Sequence, residues 1–223
     1  MHIKFFNWIF SNYPEESEFK DVNDKFLRTL RVTARCRFNA SRRISIKSKF
    51  SFFTNTIFSL GLILIPLLQM AQISKNFSPE VLASMQVFLA VAVLVYSMNL
   101  NSAQYDLRIQ ELLNCANEIK KLIRNIEEDL KNQPIKDLKE YKKEYSLILE
   151  KVENHENCDF FLSQLEMPLD YKFTGIKRVI KKFKANFQKF SPLLLPASLL
   201  FFEAIFILDM VDATKILTSL HSS

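Results

Sequence analysis

The chain of 223 residues has a net charge of +6, with 30 Lys and Arg against 24 Asp and Glu, and contains only two glycines, Gly61 and Gly175. So few glycines exclude the glycine-rich loops of dinucleotide-binding and P-loop proteins, which need several glycines to bring backbone N–H groups close to phosphate. The cysteines Cys36, Cys115 and Cys158 are far apart and odd in number, which argues against a disulfide framework or a structural zinc site. We therefore predict no metal and no cofactor.

The first ten residues, MHIKFFNWIF, are rich in aromatic side chains. They lack the small-residue cleavage site of a signal peptide and are followed by an acidic stretch. Two interpretations stay open: a short interfacial membrane anchor built on the aromatic residues, or an aromatic tail. This stretch and the helix that follows it form the first predicted segment, residues 1–49.

Residues 20–49 are predicted to form a basic amphipathic helix that leads into the membrane. Leu27, Leu30, Ala34 and Phe38 recur at helical spacing on one face. Candidate lipid- or phosphate-facing residues recur elsewhere on the helix: Arg28, Arg31, Arg35, Arg42 and Arg43. Anionic lipid is the favoured interpretation, since each basic residue near such a surface contributes about 1 kcal/mol. A phosphate-bearing ligand is the alternative.

Two uncharged apolar stretches, residues 52–73 and 81–100, are each about as long as a helix that spans the hydrocarbon core. Only SKNFSPE separates them, so residues 50–103 are predicted to form a transmembrane helical hairpin. The basic residues before the hairpin place both of its outer ends in the cytoplasm, by the positive-inside rule. Polar side chains in the spans are candidates for a pore lining or for contacts between helices: Asn55, Thr56, Ser59, Gln69 and Gln86.

Residues 104–190 are predicted to hold an antiparallel helix pair and a basic linker. The first helix covers residues 104–131, Pro134 ends it, and the second covers residues 136–166 with an apolar heptad stripe. In that stripe His155 and Asp159 occupy places where Leu or Ile is expected. Three interpretations stay open: a buried polar network that fixes the helix register, a contact point for a partner or ligand, and a catalytic dyad.

Catalysis by this pair would need a nucleophile or a metal beside it. The sequence offers only Cys158, which lies on another helical face. We therefore predict that the protein is not an enzyme.

The last predicted segment, residues 191–223, contains an apolar stretch over residues 192–211 that is long enough to span a bilayer. It carries Glu203, and a carboxylate within a span usually faces a bundle interior or water. A helix at the interface, or one packed on the hairpin, is the alternative. The predicted fold class is an all-α membrane protein: a transmembrane helical hairpin, a cytoplasmic helical bundle and a third, C-terminal membrane helix.

The order of these segments, with RVTARCRFNASRRISIKSKFSFFT before the hairpin and NHENCDF after it, resembles the SLATT domain proteins. These are bacterial two-transmembrane effectors associated with nucleotide second-messenger and SLOG sensor systems, and the likeness covers roughly residues 20–190. The resemblance implies a membrane-perturbing effector of antiphage defence that oligomerises, opens the inner membrane and arrests or kills the infected cell. It implies membrane lipids, further copies of the chain, a sensor or nucleotide-signal-producing protein and a cyclic nucleotide as partners, and no nucleic acid.

A protomer with two or three spans is too small to enclose a water-filled path, so a pore requires several copies, most simply in a closed ring. The alternative function is a non-conducting membrane anchor that recruits a partner protein. Depolarisation of the membrane separates the two.

Overall fold

The computed structural model describes residues 16–73, 77–132 and 137–217. Regular structure within these ranges is helical, apart from an isolated antiparallel bridge between Glu16 and Tyr171. The helices in chain order are α1 (Val22–Met70), α2 (Pro79–Ser102), α3 (Tyr105–Asn132), α4 (Lys139–Glu150), α5 (Asn157–Glu166), α6 (Gly175–Phe190), a 3-10 turn (Ser191–Leu193) and α7 (Leu194–Met210). The predicted all-α fold is confirmed. The interfacial anchor predicted for residues 1–10 lies outside the described residues.

The chain divides into two compact units. The polar unit comprises the described residues of 16–45 and 106–191, and the apolar unit comprises the described residues of 46–105 and 192–217. The helix α1 contributes residues 22–45 to the polar unit and residues 46–70 to the apolar unit.

The core of the polar unit is built from the first part of α1 packed against α3 and α4. Apolar residues of α3 at helical spacing, such as Leu112, Ile119 and Ile126, are fully buried there. Two contacts show that the helices α3 and α4 run antiparallel. Lys151, just after α4, pairs with Glu118 of α3 at 3.3 Å. A hydrogen bond from the Tyr141 hydroxyl to Asp129 joins them near the other end.

The prediction of one helix over residues 136–166 is wrong. The helix α4 ends at Glu150, and the chain turns before α5 begins at Asn157. Two local side-chain contacts explain the break. The side-chain oxygen Oδ1 of Asn154 accepts from the His155 N–H at 3.0 Å, and Oδ2 of Asp159 accepts from the Glu156 N–H at 3.0 Å. Such contacts compete with helical hydrogen bonds, although the apolar spacing continues through the break.

The apolar unit packs α2, α7 and residues 46–70 of α1 around a core that includes Phe58, Ile65, Leu89 and Phe206. Three helical segments of the described chain are long and apolar enough to cross a membrane: Val22–Met70, Pro79–Asn132 and Gly175–Met210. The apolar stretch of each segment belongs to this unit. The helices in these stretches leave large apolar side chains exposed, as lipid-facing helices do. The predicted class of all-α membrane protein is therefore confirmed.

In the apolar unit, α7 runs alongside the hairpin in the same direction as α1. Near the hairpin turn, the rings of Phe77 and Phe206 stack with centroids 4.7 Å apart. At the opposite end, Leu195 and Pro196 line the same groove as Lys47 and Ser51. The predicted third membrane helix thus packs along both hairpin helices.

Candidate functional site

The polar unit contains a buried ion pair between α1 and α5. Arg43 donates from Nε to Asp159 Oδ1 at 3.1 Å and from Nη2 to Oδ2 at 3.0 Å, and Asp159 is fully buried. Arg43 Nη1 also lies 2.7 Å from the carboxylate of Glu156. This two-pronged arrangement fixes the relative position of two helices as well as contributing charge attraction.

Asp159 also organises the start of α5. Its carboxylate accepts from the Glu156 N–H, and the Glu156 side chain accepts from the backbone N–H of Asp159, which together form a capping box. Asn39 of α1 donates from Nδ2 to the Asp159 carbonyl oxygen at 3.4 Å. The Asp159 carboxylate therefore caps the N-terminus of α5 and also pairs with an arginine of α1.

The structure does not place His155 and Asp159 one turn apart on a helical face, as the sequence pattern predicted. His155 lies in the connection before α5, half-buried, and its Nδ1 finds no hydrogen-bond partner among the described residues. Burial and the nearby Arg37 lower the pKa of His155, and Asp159 opposes that shift only in part. The interpretations of His155 as a partner or ligand contact stay predictions.

The thiols near His155 and Asp159 are buried, and burial raises their pKa values. Burial, with a smaller contribution from Asp159, raises the pKa of Cys158 to about 11. Burial likewise raises the pKa of Cys36 to about 11. Both residues therefore remain thiols, whereas nucleophilic catalysis requires a thiolate.

The predicted basic residue Arg28 is buried inside the polar unit. It donates from Nη2 to the Ser17 carbonyl oxygen at 2.6 Å, and its Nε lies 3.4 Å from Asp170. Its guanidinium also lies 4.1 Å from the centre of the Phe19 ring, a distance typical of cation–π contacts. These contacts tie the chain before α1 to the segment after α5.

Arg31 and Arg35 of α1 also face acids of the same unit. Arg31 lies 3.6 Å from Asp24 and 3.8 Å from Asp170, and Arg35 lies 3.5 Å from Glu166. These pairs are partly exposed, so each contributes little to stability by itself.

Four of the five predicted lipid- or phosphate-facing arginines thus pair with carboxylates. The fifth, Arg42, is exposed, as is Arg35. Sequence analysis singled out Asp159 but not its pairing with Arg43, and it missed Glu166 and Asp170. These three carboxylates lie more than a hundred residues further along the chain than the arginines they face. A role for the arginines in binding lipid or phosphate stays a prediction.

Two cavities flank the first part of α1. The smaller, of about 290 Å³, brings together two residues that the sequence singled out separately, Arg28 and His155, with aromatic walls from Phe19, Phe160 and Tyr171. The larger, of about 420 Å³, has a mixed lining that includes the following charged residues: Arg31, Arg35, Lys120, Glu166 and Asp170. Both volumes are near the lower limit of small-molecule pockets.

The predicted polar residues of the hairpin divide into two groups. Gln86 of α2 donates to Gln69 of α1 at 3.4 Å, and Ser97 of α2 donates to Asn55 of α1 at 3.5 Å. Thr56 and Ser59 instead donate to backbone carbonyls one turn earlier in their own helix. Only the first group connects the two hairpin helices.

Glu203 of α7 is 1% exposed, and neither of its carboxyl oxygens bonds to a described residue. The carboxyl lies against Gly61 of α1 so closely that a Cβ at residue 61 would overlap with Glu203 Oε1. Sequence analysis identified Glu203 but missed Gly61. The sequence did contain a signal for Gly61, because one of the only two glycines in the chain lies within an uncharged span.

An apolar unit of membrane-spanning length joined to a charged helical unit defines a membrane protein with an extramembrane helical part. The family model described as SMODS and SLOG-associating 2TM effector domain family 5 matches residues 18–208. The chain therefore belongs to this SLATT family of membrane-associated effectors of defence systems, and the resemblance stated above is confirmed. Comparisons with curated proteins and with solved structures find no match.

Proposed function

We propose that the protein is a pore-forming effector of a bacterial antiphage system, in which copies assemble and permeabilise the inner membrane. A sensor protein or a nucleotide second messenger supplies the trigger, and the polar unit lies in the cytoplasm. Membership of the SLATT effector family and three helices of membrane-spanning length support this proposal.

The observation that carries the proposal is a line of polar side chains along the hairpin. We call it the polar edge and define it by Asn55, Gln69, Gln86 and Ser97, which form the two pairs that join α1 and α2. Gln69 and Ser97 are exposed, and the other two residues are half-buried. Polar side chains within a span usually face another helix or water rather than lipid, so this edge fits a neighbouring copy or an aqueous path.

A single apolar unit has too few helices to surround such a path. Several copies arranged in a ring would bring their polar edges together around a common axis. The exposed apolar side chains, such as Phe53, Val91 and Phe201, would then remain in contact with lipid.

Inducible expression in bacteria with a voltage-sensitive dye tests this proposal. We expect the wild type to depolarise the membrane, and the variant Gln69→Leu/Gln86→Leu to reach the membrane at the same level and depolarise it several-fold less. The matched control is Thr56→Val/Ser84→Ala, which likewise removes two polar groups from the spans. These groups are exposed hydroxyls that bond within their own helices. The control should depolarise the membrane as the wild type does.

Two outcomes would contradict the proposal. An unchanged membrane potential with abundant wild-type protein in the membrane would favour a non-conducting anchor that recruits a partner. If the edge variant depolarises the membrane as much as the wild type does, then the polar edge does not line the conducting path.

A further inference from the structure

The helix α6 exposes a continuous apolar stripe. Its sequence, GIKRVIKKFKANFQKF, repeats large apolar residues at steps of three and four, which places them on one face of a helix. All of them are exposed, up to 72% for Phe183: Ile176, Val179, Ile180, Phe183, Phe187 and Phe190. Contiguous exposed apolar patches of this kind mark interaction surfaces.

The opposite side of α6 packs on the polar unit. Ala185 is fully buried there. Lys181 Nζ lies 3.7 Å from the centre of the Phe173 ring, and Lys184 Nζ lies 5.3 Å from the centre of the Phe161 ring. The helix is therefore docked through Ala185 and lysine side chains, while its apolar face points outwards, which is the reverse of a surface helix in a soluble protein.

The apolar stripe is bordered by positive charge. The helix carries six basic residues and no acid: Lys177, Arg178, Lys181, Lys182, Lys184 and Lys189. A helix with a large hydrophobic face and a lysine-rich opposite side is typical of helices that lie in the plane of a membrane interface.

We propose that α6 is an interfacial lipid-binding helix, with its apolar stripe in the headgroup–acyl boundary and the exposed basic residues beside the stripe, such as Lys182, near anionic headgroups. The positive charge of α6 and its position directly before α7 favour lipid over two other partners for the apolar stripe. A second copy of α6 would bring six further positive charges to the same surface, and residues 1–10 offer a Lys and a His but no acid. Along the chain, only Ser191–Leu193 separates α6 from the apolar helix α7, so the end of α6 must lie close to the bilayer. The proposal requires a membrane-resident chain and does not depend on whether its assembly conducts ions.

Tryptophan fluorescence of the full-length protein in vesicles tests the proposal. In a Trp8→Phe background, which removes the native tryptophan, a Phe183→Trp variant reports on the stripe. Phe187→Trp is a second reporter on the same stripe. The matched control is Leu147→Trp, because Leu147 is also an exposed apolar residue of the polar unit but lies on α4. Vesicles contain phosphatidylcholine with or without phosphatidylglycerol, and lipids brominated either near the glycerol or near the chain end act as quenchers.

We expect blue-shifted emission from both α6 reporters, with strong quenching by bromine near the glycerol and weak quenching by bromine near the chain end. Leu147→Trp should emit as a water-exposed indole and stay unquenched. Omitting phosphatidylglycerol should lower quenching of the α6 reporters by about twofold or more, because basic residues are attracted to anionic headgroups.

Three results would overturn the assignment. Red-shifted, unquenched emission from both α6 reporters would place the stripe in water. Blue-shifted emission without quenching would show that protein covers the stripe, whether a second copy or residues 1–10. Stronger quenching from the chain end than from the glycerol would place α6 within the hydrocarbon core.

Discussion

The contacts of Asp159 depend on a partner that is distant in sequence. Removing a carboxylate from water costs several kcal/mol, and Arg43 offsets that cost through hydrogen bonds to both carboxylate oxygens. The nearby His155, which the heptad pattern paired with Asp159, lies in a connection instead of on a shared helical face. The energetic partner of Asp159 is therefore on α1, and this assignment leads to a quantitative test.

We predict that Asp159→Leu lowers the free energy of unfolding by about 3–5 kcal/mol, because it leaves Arg43 buried without its main partner. Arg43→Leu/Asp159→Leu should recover most of that loss, with about 1 kcal/mol still missing because the helix cap is gone. Denaturant unfolding in detergent micelles, followed by circular dichroism, measures the difference.

The exposed pair of Arg108 and Glu153 provides the control for this double-mutant cycle. Arg108→Ala should change the free energy of unfolding by about 1 kcal/mol or less, as is usual for surface pairs. If His155→Leu restores the stability of Asp159→Leu and Arg43→Leu does not, then the pairing expected from the heptad pattern is the correct one.

At the scale of the helices, sequence patterns correctly predicted the helices that can be recognised from the residues of the segment itself. The end of α1 and both ends of α2 and α3 lie within a few residues of their predicted positions, because uncharged runs and a regular apolar stripe are properties of the segments themselves. The break between α4 and α5 was missed because the apolar spacing continues through it, while short polar side chains bond the backbone. Contacts between distant segments, such as Arg43 with Asp159, have no local signal.

The contact between Gly61 and Glu203 gives a prediction about helix packing in the apolar unit. Gly61→Ala forces the buried Glu203 carboxyl to move, and overpacking of this kind costs about 1–3 kcal/mol. In a Glu203→Ala background the same substitution should cost less than half as much, because the overlapping carboxyl is gone. Thermal stability in detergent, measured for the four proteins of the cycle, tests the coupling. Equal costs in both backgrounds would mean that Gly61 is not needed to make room for Glu203.

For the whole molecule, the number of spans decides on which side of the membrane each terminus lies. The helix α7 has 17 residues, about 26 Å at 1.5 Å per residue, and the apolar stretch of residues 192–211 extends it towards the roughly 30 Å of a hydrocarbon core. It extends along the hairpin, from the groove that Leu195 and Ser51 both line to the ring of Phe77, which stacks on Phe206. An interfacial helix lying across the end of the hairpin would not reach both places, so we predict three spans, with the two termini on opposite sides of the membrane.

Cysteine labelling in intact bacteria tests this topology. The native cysteines are buried, and single cysteines introduced as Lys75→Cys, Lys143→Cys and Ser222→Cys report on the hairpin loop, α4 and the C-terminus. With the basic segment in the cytoplasm, a membrane-impermeant maleimide should label residues 75 and 222 in intact cells, and residue 143 only after permeabilisation. Failure to label residue 222 in intact cells, while residue 75 is labelled, would mean that the chain crosses the membrane twice and that α7 packs along the hairpin without spanning.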